Sequence, residues 1–167
     1  MSFSPPERLS SINETSKFDC GRPELNVWLQ RFALQNQAAH AATTWVVCPE
    51  ESSRVVGYYA LASGSVDHAV APARVSTGLA RHPIPVVILA RLAVDLEYGD
   101  KGLGSALFKD ALVRVDRAAG EIGIRALLIH AKDEDARRFY EQFDVEPSPV
   151  DELQLFLLMK DLRRAAH

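Results

Sequence analysis

Two glycines one residue apart, Gly102 and Gly104, follow an apolar run at residues 86–94 and a polar turn at 95–101, and they open a stretch with helical spacing. A strand that delivers a glycine-rich turn into a helix start can hold an anion. The first backbone N–H groups of a helix have no carbonyl partners, and the aligned peptide dipoles place partial positive charge at that end. Glycine keeps side-chain atoms out of the approach to those amides. A nucleotide P-loop needs Lys followed by Ser or Thr after its last glycine, whereas here Ser105 and Ala106 follow. The dinucleotide fingerprint would need a third glycine at Leu107. On spacing alone the stretch suits either a phosphate-sized anion or an ordinary strand-to-helix turn.

Other residues with chemistry to offer are scattered. Tyr140 lies four residues after Ala136 and three before Phe143, a spacing that reads as helix core. His130 closes a short apolar run and is expected to be buried and hydrogen-bonded. His40, His68 and His82 fall in loops without metal-ligand spacing, and Cys20 and Cys48 stand alone, so no metal site is expected and both thiols should be reduced and partly buried.

The elements that must position these groups follow from periodicity. Pro23 suits a first helical residue, and Leu25, Trp28, Leu29 and Phe32 fall on one face of a helix ending near Gln37, with Trp28 in the core. Strands are expected at residues 43–48 and 55–61, paired as an antiparallel hairpin. Residues 63–83 are the least regular part of the chain, with one short helix around 73–80, and a loop of that length is more often functional than idle. The run at 86–94 is apolar on both faces, as a central strand should be. In the next helix Leu107, Phe108, Ala111, Leu112 and Val115 form the buried stripe and Gly120 suits the C-terminal end. A strand at 126–130 then feeds a helix capped by Asp133, with Ala136, Phe139, Tyr140 and Phe143 as its apolar side. Residues 153–160 alternate as a closing strand.

Composition bounds the class. A chain of 167 residues with 47% hydrophobic and 25% charged residues is expected to form a single globular domain, 1–167. Its net charge of −3 rules out a general attraction to nucleic acid, so any such contact needs a local basic patch. The apolar run at 84–90 is far shorter than a membrane span, and residues 1–7 lack the pattern of a signal peptide, so a cytoplasmic protein is expected.

Three stretches carry a resemblance. The first is Phe18-Asp19-Cys20-Gly21 with Pro23-Glu24-Leu25-Asn26 and Trp28-Leu29; the second runs from Ile84-Pro85-Val86-Val87 through Arg91-Leu92-Ala93-Val94-Asp95 to Gly102-Leu103-Gly104. The third joins Ala136 and Phe139-Tyr140-Glu141 to Leu155-Phe156-Leu157 and Lys160-Asp161-Leu162. Together they resemble the GNAT superfamily of N-acetyltransferases, and more narrowly its toxin branch, which acetylates aminoacyl-tRNA.

The resemblance implies an α+β fold with a mixed central sheet, splayed between two central parallel strands and flanked by helices. It implies acetyl-CoA as cofactor, with Leu92, Ala93 and Val94 along its pantetheine arm and Lys101, Gly102, Leu103, Gly104 and Ser105 around its phosphates. Tyr140 takes the place of the family's catalytic acid, and the Val94 amide that of its oxyanion donor. Arg74, Arg81, His82 and Arg91 become candidates for meeting tRNA, with Arg8, Lys17, Arg22, Arg137 and Arg138 as further basic residues. A ribbon-helix-helix antitoxin and a homodimer are the partners implied. Two positions depart from the pattern: Gly99-Asp100, where Gln or Arg and then Gly are usual, and Phe143-Asp144-Val145, where Phe-Gly-Phe is common. A generic acetyltransferase of small amines or protein N-termini, and a non-catalytic coenzyme A module, share most of these features.

Overall fold

The structure is a computed structural model and describes residues 2–167. The chain runs through strand β1 (Glu7–Arg8), helix α1 (Pro23–Val27), a π-helical turn (Trp28–Phe32), α2 (Ala33–Ala38), β2 (Thr43–Val47), β3 (Gly57–Val66), α3 (Ala73–Ser76) and β4 (Ile84–Val94). A 3-10 turn (Leu96–Tyr98), α4 (Leu103–Ala119), β5 (Ala126–His130), α5 (Glu134–Glu141), β6 (Glu146–Pro147), β7 (Gln154–Leu158) and α6 (Met159–Ala166) follow. The strands form a mixed sheet in the order β1-β2-β3-β4-β5-β7-β6, with β4 and β5 parallel. This is the expected α+β class. Two compact units divide the chain: one holds the residues up to Ala62 together with Arg91–Ala111, the other Ser63–Ala90 together with Leu112–His167.

In the first unit β1, β2 and β3 pair antiparallel, with Trp45 opposite Tyr59 and Val47 opposite Gly57. Phe18, Leu25, Trp28, Leu29, Val46 and Tyr58 are buried together in its core. Each such apolar side chain contributes roughly 1.5–3 kcal/mol by leaving water. Tyr58 is the centre of this cluster, since Trp28 stacks on it at 6.0 Å, Phe18 meets it edge-on at 5.5 Å, and its hydroxyl donates to the Leu25 carbonyl at 2.8 Å.

The helix after Pro23 departs from the expected register. Ala33 N–H donates to the Trp28 carbonyl, five residues back, so the helix widens through one π turn. That turn carries Phe32 out to 46% exposure and brings Ala33 in at 0%. The expected face Leu25, Trp28, Leu29, Phe32 is corrected to Leu25, Trp28, Leu29, Ala33.

In the second unit β4 pairs with β5 from Val86↔Ala126 to Leu89↔Ile129, β5 pairs antiparallel with β7, and β7 with the short β6. Its own core joins Val75, Ile84, Val86, Ala126, Leu128 and Phe156. Asp133 caps α5 as expected, its carboxylate accepting the Ala136 N–H at 2.8 Å. The irregular segment starts later than the sequence suggests, because β3 continues to Val66, and the helix within it is shorter than expected, α3 covering only Ala73–Ser76. The closing strand ends at Leu158, and α6 follows it. Leu155, Phe156 and Leu157 are all buried, so β7 is covered on both faces and the apparent alternation past Leu158 belongs to the next element. His130 is exposed at the end of β5, not buried as expected.

Because Ala33 fills a closed position, Ala33→Leu should destabilise the protein by about 1–3 kcal/mol through overpacking. Phe32→Ala should change stability by no more than about 0.5 kcal/mol. Urea unfolding of the two variants measures the difference, and a larger cost at Phe32 would refute the π-turn register.

Candidate active site

Along β4 the side chains alternate. Leu89 and Ala93 are buried at 1% and 3%, while Leu92 and Val94 are half-buried on the opposite face. The ladder with β5 covers Val86 to Leu89, and β4 runs on from Ala90 to Val94 beyond it. Just past the strand, Asp95 N–H donates to the Val56 carbonyl at 2.8 Å. Successive amides of an extended chain point to opposite edges, so the Val94 N–H faces the edge away from Val56.

The end of this strand is held by one buried carboxylate. Asp95, 2% exposed, accepts the Asp19 N–H and the Glu97 N–H, each at 3.0 Å, and the Arg54 guanidinium lies 3.5 Å from it. Asp19 returns the contact by accepting the Leu96 N–H on its carbonyl at 2.9 Å. Its own carboxylate accepts the Gly21 N–H at 2.9 Å and Asn26 Nδ2 at 3.0 Å. The Gly21 bond, then the Asn26 bond, hold the Asp19 pKa below the usual carboxylate value. Asn26 Oδ1 accepts the Cys20 N–H at 2.9 Å. The Phe18-Asp19-Cys20-Gly21 motif with Asn26 is therefore a structural tie on the β4 terminus.

From this anchor the chain makes its 3-10 turn and reaches Gly102, which has φ +74° and nothing within 4 Å of where a Cβ would stand. α4 begins at the next residue. The Leu103 and Leu107 side chains are buried at 6% and 1%, so the helix start presents its backbone at Gly102, Gly104 and Ser105. Gly57 of β3 lets α4 seat closely, since a Cβ there would stand 2.9 Å from both Leu107 Cδ1 and Val47 Cγ1. A cavity of about 310 Å³ adjoins the turn, with Lys101, Gly102 and Leu103 on one side and Phe3, Ser4 and Pro6 on the other. Sequence reasoning missed that N-terminal wall. Ser4 N–H donates to the Cys48 carbonyl at 2.9 Å, and Phe3 meets Tyr98 edge-on at 5.9 Å. Of the two departures, Gly99 has an ordinary helical φ of −66° and Asp100 is exposed to water; Asp144 is likewise exposed.

Tyr140 belongs to the second unit, on α5, where it is 5% exposed and meets Phe139 edge-on at 5.1 Å. Burial pushes its pKa well above the usual tyrosine value, so the phenol keeps its proton. A phenol in that state can donate a proton. Arg81 and His82 line a cavity of about 460 Å³ with Asp67 and His68, and His68 Nε2 lies 3.1 Å from the His82 carbonyl. Arg74 is not with them. It donates to Glu146 at 2.6 Å and to buried Asp161 at 3.0 Å, an ion pair within the second unit. Arg91, in the first unit, lies over the Trp28 ring at 4.2 Å. Arg137 is likewise engaged with Glu134 and Glu141, and Arg138 with Asp135.

Among the described residues no group of three His, Cys, Asp or Glu side chains is placed to hold a metal, and no helix is long and apolar enough to cross a membrane. Cys20 and Cys48 are thiols outside any disulfide, and burial raises the pKa of Cys48 to about 11.

The sequence pattern of the Acetyltransferase (GNAT) family matches residues 9–144. The chain is 47% identical over 161 residues, 96% of this chain and 95% of the other, to the tRNA-acetylating toxin of Mycobacterium tuberculosis (strain ATCC 25618 / H37Rv). Its fold matches AtaT complexed with acetyl-methionyl-tRNAfMet with a TM-score of 0.89 at 26% identity, over 98% of each chain. It also matches a tyrosine-to-phenylalanine mutant of the AtaT toxin bound to the C-terminus of the antitoxin AtaR and acetyl-CoA. There the TM-score is 0.82 at 25% identity, over 98% of this chain and 97% of that one.

Gly102→Ala places a Cβ on a left-handed backbone and should cost about 1–2 kcal/mol of stability. The same Cβ intrudes on the open approach to the α4 amides, so pyrophosphate binding measured by calorimetry should weaken as well. Equal stability and equal binding would show that Gly102 has no special role.

Proposed function

The chain belongs to the GNAT acetyltransferase family, and on that premise we propose that it is a toxin transferring an acetyl group from acetyl-CoA to the free α-amine of aminoacyl-tRNA. The observation that carries the transferase geometry is β4, which leaves its β5 ladder after Leu89 and runs on into the turn at Gly102. The substrate class is supported by 47% identity, over nearly the whole chain, to a tRNA-acetylating toxin. One acetyltransferase domain, 1–167, is the unit proposed.

The residues present fit the cofactor, because Gly102, with φ +74° and open space where a Cβ would stand, leaves the backbone at the start of α4 open to an anion. When bound, acetyl-CoA supplies the thioester-linked acetyl group. Backbone amides from Gly102 through Ser105 hold its diphosphate at the start of α4, with the Lys101 side chain beside them, since the Lys101 N–H donates to the Tyr98 carbonyl at 3.3 Å. Leu92, Ala93 and Val94 hold the pantetheine arm through their backbone groups, Ala93 having its side chain in the core. The Val94 N–H steadies the charge that develops on the carbonyl oxygen. Tyr140 holds the proton that the departing sulfur needs. An α-amine with a pKa near 7.7–8.0 is substantially neutral around pH 7.5, so attack needs no strong base from the chain.

Arg74, Arg81, His82 and Arg91 are the basic residues proposed to meet the RNA, Arg74 while also paired with Glu146 and Asp161. The proposal places the protein in the cytoplasm, where charged tRNA is found, and gives it an antitoxin partner, as AtaT has in AtaR. A ribbon-helix-helix antitoxin and a homodimeric toxin complete the proposal on the family resemblance.

The test is expression in a translating extract followed by mass analysis of the amino acids released from tRNA. Acetylated aminoacyl groups should form with the unmodified chain. Tyr140→Phe should lower the transfer rate at least tenfold, or about 1.4 kcal/mol of barrier, while leaving acetyl-CoA affinity unchanged. Acetylation of small amines or protein N-termini alone would return the enzyme to a generic role. Acetyl-CoA binding without turnover would make it a non-catalytic module.

A further inference from the structure

Arg91 is an arginine set among the apolar residues of β4, on the same side of the strand as buried Ala93. Its guanidinium lies 4.2 Å from the centre of the Trp28 ring, and Trp28 stacks in turn on Tyr58 with an interplanar angle of 13°. Trp28 also opens the π turn, a distortion frequently found where helices serve a function.

The other arginines drawn into the fold meet oxygen atoms. Arg54 faces Asp95 and Glu97, Arg74 faces Glu146 and Asp161, and Arg163 faces Asp116. Arg125 donates to the carbonyls of Arg74, Val75 and Thr77. Arg91 is half-buried and, among the described residues, has no carboxylate partner. Burial lowers its pKa from the ordinary arginine value, as expected of a cation that has lost water without gaining an anion. A guanidinium stacked on an aromatic face keeps its N–H fork for a phosphate, which it takes through paired hydrogen bonds.

We propose that Arg91, seated on Trp28, binds a phosphate of the 3′ acceptor end of the tRNA. The assignment rests on the aminoacyl-tRNA reading above. In that substrate the amino acid's own carboxylate is consumed in the ester, so its anionic groups are the phosphates of the RNA. Arg91 directly precedes Leu92 on the strand assigned to the cofactor arm, which puts a phosphate contact close in sequence to the reacting end.

The test uses the full-length protein and a deacylated RNA hairpin ending in single-stranded CCA, with binding followed by fluorescence anisotropy over a range of salt. Arg91→Ala should weaken binding at least tenfold and reduce the slope of log affinity against log salt by about one. Arg91→Lys keeps the charge without the fork and should retain the slope while losing several-fold in affinity. A hairpin with neutral methylphosphonates at its terminal linkages should bind the unmodified chain and Arg91→Ala equally. Acetyl-CoA affinity by calorimetry should not change in either variant, and the melting temperature of Arg91→Ala should fall by only a few degrees through the lost Trp28 contact. Unchanged RNA affinity and slope in Arg91→Ala would overturn the assignment. So would a parallel fall in acetyl-CoA affinity and melting temperature, which would make the Trp28 contact purely structural. If the unmodified chain fails to bind the hairpin even at low salt, the tRNA reading itself falls, and the assignment with it.

Discussion

The buried carboxylate of Asp95 is the constraint on which the rest of the first unit hangs. It joins the end of β4, the loop at Asp19 and the turn toward Gly102 through hydrogen bonds that water would otherwise supply. A charge at that depth is tolerated because two backbone donors and Arg54 meet it. Removing those partners would leave an uncompensated ion, and removing the ion would leave orphaned amides. Neither half is replaceable alone, which is why a motif in the first quarter of the chain and a turn past its middle read as one unit.

How much of this was legible depended on distance along the chain. Asp133 could be read as a helix cap because its partner, Ala136 N–H, is three residues away. Gly102 could be read as the break before a helix for the same local reason. The π turn left no such mark, since Phe32 and Ala33 differ only in which one the widened helix turns inward. α6 was hidden because residues 155–159 run on as one apolar stretch from β7 into the helix, with no polar break between them. The role of Asp19 and Asn26 was also unreadable, because the group they serve lies some seventy residues away, at Asp95. The N-terminal wall of the cavity at Lys101 escaped notice because Phe3 and Pro6 are placed by pairing of residues 2–4 with Cys48, Pro49 and Glu50, far along the chain.

The arginines show why counting basic residues is a poor guide to a binding face. Arg74, Arg81 and Arg91 are equivalent in the sequence, yet the fold gives each a different electrical state. Arg74 is neutralised by two acids, Arg81 shares a cavity with two histidines and an aspartate, and Arg91 rests on an indole. The difference between a structural cation and one available to a ligand lies in its neighbours' oxygens, which no local pattern records.

The burial of Tyr140 has a consequence for timing. Its surroundings raise the pKa of the phenol because they solvate a phenolate poorly, and the same penalty applies whenever the proton leaves during a reaction. Such a group favours its protonated form. A proton that leaves Tyr140 is therefore replaced more favourably in the same step than after a phenolate has formed.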